Sequence, residues 1–121
     1  MRYPAGKELR LCRRADIARL FDQGRRASDG VMTVLGAPRQ DGGGPIRMAV
    51  VVSRRVGGAV QRNRVKRVCR EAFRRARPLL ATGWDVVLAP RGGSASGAQV
   101  EASIRKLVAR LTSQPAAKEP G

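Results

Sequence analysis

The run Arg62-Asn63-Arg64-Val65-Lys66-Arg67-Val68-Cys69-Arg70-Glu71 repeats basic side chains at intervals of three and four, which gathers them on one face of a helix. Such groups bind polyanions. A guanidinium fork meets a phosphate through two parallel hydrogen bonds, whereas an ammonium acts as a point charge. Ten of the chain's 25 lysines and arginines fall between Arg54 and Arg77, and between Arg62 and Arg77 eight bases accompany one acid, Glu71. Like charges one turn apart destabilise a helix. A partner whose phosphates neutralise them accounts for this face better than solvation alone.

Side-chain catalysis has no comparable support. The chain holds no histidine, and Asp16, Asp22, Asp29, Asp41 and Asp85 show no paired spacing, so stand-alone acid–base hydrolysis is not expected. Cys12 and Cys69 lack zinc-type spacing and have no histidine to complete a site, so neither a metal nor a cofactor is expected on the protein itself. Both thiols are expected to be reduced, with Cys69 a small core residue.

The basic groups need elements to hold them. At about 100° per residue, Val65, Val68, Cys69, Ala72, Phe73 and Ala76 share one arc of a helix, while Arg62, Asn63, Lys66, Arg67, Arg70, Arg74 and Arg77 lie opposite. Arg64, Glu71 and Arg75 flank the apolar stripe, and Pro78 gives a stop. Ahead of this helix, Arg13 to Gln23 reads as a short helix ending at Gly24, with Ile17, Leu20 and Phe21 as its apolar stripe. Val31 to Ala37 and Ile46 to Ser53 read as strands, and Gln40-Asp41-Gly42-Gly43-Gly44-Pro45 between them suggests a hairpin. The nearly continuous apolar run Met48 to Val52 suggests a central strand. Trp84 to Ala89 is a further strand. Ser96-Gly97-Ala98-Gln99 reads as a capping box opening a helix that buries Val100, Ile104, Leu107, Val108 and Leu111, with Glu101 able to pair with Arg105.

The order helix, two or three strands, long basic helix, strand, helix predicts an α+β fold, a two-layer α/β sandwich. One sheet face carries the long and last helices, and the other stays partly open. The 121 residues make one domain, with an ordered core of about 10–112 and flexible ends at 1–9 and 113–121. A net charge of +16 and a pI of about 11.8 point first to nucleic acid and second to an acidic membrane surface. No apolar run reaches membrane-spanning length and the start lacks a signal-peptide core, so a cytoplasmic protein with no membrane partner is expected.

Three segments together resemble the signature of the bacterial ribonuclease P protein family: Ser53-Arg54-Arg55-Val56-Gly57, Ala59-Val60-Gln61-Arg62-Asn63-Arg64-Val65-Lys66-Arg67 and Arg70-Glu71-Ala72-Phe73-Arg74. Weaker similarity at Leu20-Phe21-Asp22-Gln23-Gly24 and Asp85-Val86-Val87-Leu88-Ala89-Pro90-Arg91 extends it to about residues 7–112. The resemblance implies a subunit of a ribonucleoprotein that removes the 5′ leader from precursor tRNA, the RNA and its magnesium ions carrying out the hydrolysis. It also implies a left-handed crossover between the strand before the motif and the strand after the basic helix, against the usual right-handed rule.

On that resemblance the partners are the ribonuclease P RNA and precursor tRNA with its 5′ leader, with no obligate protein partner. Arg54, Arg55, Arg62, Asn63, Arg64, Lys66, Arg67, Arg70 and Arg74 become the RNA-binding set. Asn63 has two roles open to it: contacting a 2′-hydroxyl or base edge, or capping the helix or orienting a neighbouring arginine. Arg54 and Arg55 can reach RNA or simply blunt a strand end. Ile17, Phe21, Met32, Val50 and Val52 are the candidates for the leader cleft between the first helix and the sheet, although Ile17 and Phe21 are equally ordinary core residues. Ile17 stands where the family favours phenylalanine, and Met32 and Leu35 where aromatics are common, which weakens base stacking. A structural RNA-binding protein such as a ribosomal component is the alternative that composition leaves open.

Overall fold

The computed structural model describes residues 14–41 and 43–113. Cys12 and nearly all of the expected flexible ends lie outside them. Along the chain come α1 (Arg14–Gln23), β1 (Arg25–Ser28), β2 (Met32–Pro38), β3 (Arg47–Val50), α2 (Ala59–Ala76), β4 (Trp84–Pro90) and α3 (Gly97–Thr112). The strands form one sheet in the order β1-β2-β4-β3, antiparallel except for the parallel β3–β4 pair. β3, α2 and β4 therefore form a parallel crossover unit.

Two expectations about the sheet fail for one reason, the insertion of β4 between β2 and β3. The turn before β3 closes no hairpin, and β3 is an edge strand. Residues on both sides of that turn are tied to the start of β4 instead. Arg39 N–H donates to the Gly83 carbonyl at 2.8 Å, and Gly83 N–H donates to the Gly44 carbonyl at 2.7 Å. β3 also stops at Val50 rather than Ser53. After a final Val51 N–H bond to the Leu88 carbonyl, the chain turns into a 3-10 turn at Arg54–Val56.

Alternation along the strands divides the core. On one face Met32, Val34, Met48, Val86 and Leu88 pack under the apolar stripes of α2 and α3, including Val65, Cys69, Phe73, Ile104 and Leu107. Full burial of each large aliphatic side chain contributes about 1.5–3 kcal/mol, so this layer holds most of the fold's stability. The other face carries the smaller cluster Leu20, Leu35 and Val87, with Ile17, Ala37 and Ala49 against it. α1 covers that face only in part. Burial pushes the Cys69 thiol up to about 11, which keeps it protonated and inert.

The capping box forms: Gln99 N–H donates to Ser96 Oγ at 3.2 Å and Ser96 N–H to Gln99 Oε1 at 2.8 Å. Glu101, however, accepts from Arg75 Nε at 3.0 Å across the helix pair rather than from Arg105. All five α3 residues expected in the core are buried.

Asp29 joins the β1–β2 turn to α3. Its carboxylate accepts from Val31 N–H at 2.8 Å, Met32 N–H at 3.0 Å and Ser103 Oγ at 2.7 Å, and it meets Lys106 Nζ at 3.1 Å. Burial alone raises its pKa, but the Met32 amide, Ser103 hydroxyl, Val31 amide and Lys106 outweigh that and hold it well below the usual carboxylate range. A depressed folded pKa gives stability that is complete above the unfolded value of about 4 and lost as pH falls further. Asp29→Ala should therefore cost about 2 kcal/mol at pH 7, with the deficit shrinking below about pH 4. Urea midpoints at pH 7 and pH 3 check this, and an equal deficit at both would contradict it.

Candidate nucleic-acid interface

The structure sorts the basic groups of α2 into three columns. Asn63, Arg67, Arg70 and Arg74 form an exposed crest. Arg62 and Lys66 lie half-buried along one flank. Arg64, Glu71 and Arg75 lie on the flank facing α3, where Arg75 reaches Glu101.

The only acid of α2 is already engaged. Glu71 pairs with Arg74 and Arg75 and lies below the ordinary carboxylate pKa, chiefly through its hydrogen bond from Arg74. Among the described residues, Arg54, Arg55, Arg62, Arg64, Lys66 and Arg67 take part in no salt bridge. Asn63 lies inside the helix, whose N-cap is Gly58, so it caps nothing. It stands on the crest beside the arginines.

A backbone corner delivers this face. Gly57 adopts a φ of +148°, a region that favours glycine, and a Cβ there would stand 2.8 Å from Gln61 Cγ. Gln61 fills the corner. Its amide also lies over Gly93 in the β4–α3 loop, where a Cβ would be 2.6 Å from Nε2. Arg54 and Arg55 are exposed on the 3-10 turn before the corner. Val60, at the start of α2, is 86% exposed amid these bases.

The opposite sheet face, under α1, corrects part of the leader-cleft expectation. Met32 is fully buried beneath α2 and α3, and Val50 and Val52 pack against that same core, so none of the three faces α1. Side chains in a strand alternate faces. The residues turned toward α1 are Leu35, Ala49 and Val87, and by the same alternation Thr33 and Val51. Ile17 is half-buried in the small cluster, while Phe21 is 44% and Val51 37% exposed. Phe21 is thus available for stacking and is not a core residue.

An ion cluster fixes α1 above this face. Asp85, fully buried, accepts from Arg47 Nε at 2.8 Å and Nη2 at 2.9 Å, and from Arg19 Nη2 on α1 at 3.4 Å. The Arg47 pKa is raised, first by its hydrogen bond to Asp85. In the sequence Asp85 is only an unpaired acid, because its partners lie 38 and 66 residues away. Among the described residues no group of three or more His, Cys, Asp or Glu is placed to hold a metal ion.

Comparison with known proteins gives a consistent picture. A family model described as Ribonuclease P matches residues 6–112. A "Ribonuclease P protein component" from Xylella fastidiosa is 35% identical over 118 residues, covering 96% of this chain and 84% of that protein. One from Chloroflexus aggregans is 40% identical over 103 residues, covering 82% and 74%. Among solved structures, the RNase P protein from Thermotoga maritima superposes with a TM-score of 0.73 at 29% identity, over 84% of this chain and 96% of that one.

Proposed function

The chain belongs to the ribonuclease P protein family, as a subunit of an endoribonuclease that works with ribonuclease P RNA, and from that premise we propose how its two faces divide the work. The α2 face and the adjoining Arg54 and Arg55 bind the phosphates of the catalytic RNA. The observation that carries this is the set of six basic side chains there with no carboxylate partner among the described residues, beside a Glu71 already used by Arg74 and Arg75. Desolvating unpaired cations is offset when they meet phosphates, and the release of counterions drives binding.

The partly open face under α1 receives the single-stranded 5′ leader of precursor tRNA. Phe21 offers one base a stacking surface, and the partly exposed Ile17, Ala49 and Val51 offer aliphatic contact. The narrow exposed apolar strip suits an extended strand better than a duplex, whose bases are already stacked. The chain holds no histidine, the commonest general acid–base group. The hydrolysis and its magnesium chemistry fall to the RNA. The protein binds and orients the substrate, and family membership displaces the ribosomal alternative.

Phe21→Ala tests the division. Preference for leader-bearing over mature tRNA should fall roughly 5- to 150-fold, following the 1–3 kcal/mol of one base stack. Affinity for ribonuclease P RNA and the thermal midpoint should change little, because Phe21 is half-exposed. An unchanged preference, or a large loss of stability instead, would overturn the leader assignment.

A further inference from the structure

A cavity of about 310 Å³ opens between the N-terminal half of α2 and the β4–α3 loop. Its floor is apolar, formed by Met32, Val65, Val68, Cys69 and Val100. Its mouth is polar, with Arg64 on one side and the segment Gly92–Gly97 on the other. The walls are tied down. Gln61 packs over Gly93 at one end of the loop, and the Ser96–Gln99 capping box fixes the other end. A shallower groove past Gly30 and Ser94 continues from the mouth.

This combination narrows the occupant. The floor offers nothing to a phosphate or a metal ion, and no carboxylate lines the cavity. The volume lies at the small end of ligand sites, which begin near about 300 Å³, too little for a helix or a folded peptide. A flat heterocycle fits, with its charged phosphate left outside against Arg64. Proteins read unpaired RNA by drawing out a base, seating it on an apolar surface and meeting its edge with polar groups. Ser94, among the lining residues, carries a hydroxyl able to meet such an edge. The cavity adjoins the α2 face and lies on the opposite side of the sheet from α1, so the base comes from the catalytic RNA and not from the leader.

We propose that this cavity receives one unpaired nucleobase of ribonuclease P RNA, with Arg64 holding the adjacent phosphate. The inference rests on the RNA-binding role of α2 and adds a site to it. Ala95 lines the cavity, and Ala95→Phe would fill it. With folding verified by circular dichroism, this variant should bind a bacterial ribonuclease P RNA about tenfold more weakly, with the salt slope flattened by no more than the roughly 0.7–0.9 of the one phosphate held by Arg64. Chemical probing should show one unpaired nucleotide of that RNA gaining reactivity relative to the wild-type complex. If Ala95→Phe does not fold, Ala95→Leu occupies part of the same space and should act in the same direction. Wild-type affinity and an unaltered reactivity pattern in a folded variant would overturn the proposal, as would a changed nucleotide found only in the precursor tRNA. Failure of the wild-type protein to bind RNA would instead overturn the reading beneath it.

Discussion

Replacing Arg62, Lys66 and Arg67 together by Ala should weaken binding to ribonuclease P RNA roughly 10³-fold or more, at about 1.5 kcal/mol or more for each charge-assisted hydrogen bond to phosphate that disappears. The slope of log affinity against log salt should flatten by roughly 2–3, since each neutralised phosphate contributes about 0.7–0.9. None of the three takes part in a salt bridge among the described residues. Alanine also favours helix and relieves i,i+4 repulsion, so the free variant should be no less stable than the parent. Titrations at several salt concentrations, with thermal unfolding as control, check both halves. A weaker complex with an unchanged slope would remove these residues from the phosphate interface.

Asp85→Ala should cost about 3–5 kcal/mol, because it strands two arginines against the sheet without their buried counter-charge. The partners should rank in order. Arg47→Ala removes two short bonds but leaves Arg19 to neutralise Asp85, so it should cost less than Asp85→Ala. Arg19→Ala removes one hydrogen bond of 3.4 Å and a buried Nε that has no hydrogen-bond partner among the described residues, so it should cost least. Arg19→Ala should nevertheless loosen α1 and reduce discrimination for the leader, since among the described residues little else than the Leu20–Leu35–Val87 cluster holds that helix. Chemical denaturation of the three variants gives the ranking, and equal costs for all three would show that the cluster does not act as described.

The basic helix is legible in the sequence because its pattern is local. Apolar residues every three or four positions fix the face from Val65 to Ala76, and the charges follow on the other side. The Ser96 capping box is readable for the same reason, spanning three residues. What escapes depends on distant chain. The glycine-rich turn before β3 has hairpin chemistry, yet β4, some forty residues on, takes the place beside β2. β1, Arg25-Arg26-Ala27-Ser28, has no apolar alternation to announce it, because only Ala27 is buried. In the continuous apolar run from Met48 to Val52 nothing in the residue types distinguishes the two faces, which is why the sequence alone puts Val50 and Val52, and not Ala49, on the α1 side. A one-residue change of parity moves a whole set of side chains to the other face. The leader surface is therefore the least readable part of the site, and the α2 face the most.

Cleavage of a precursor tRNA at low magnesium tests the account most directly, with this protein alone, a bacterial ribonuclease P RNA alone, and the two together. Release of the 5′ leader mainly in the mixture, with none from the protein by itself, is the expected result. Cleavage by the protein alone in the presence of a chelator, or no stimulation despite intact RNA binding, would contradict it.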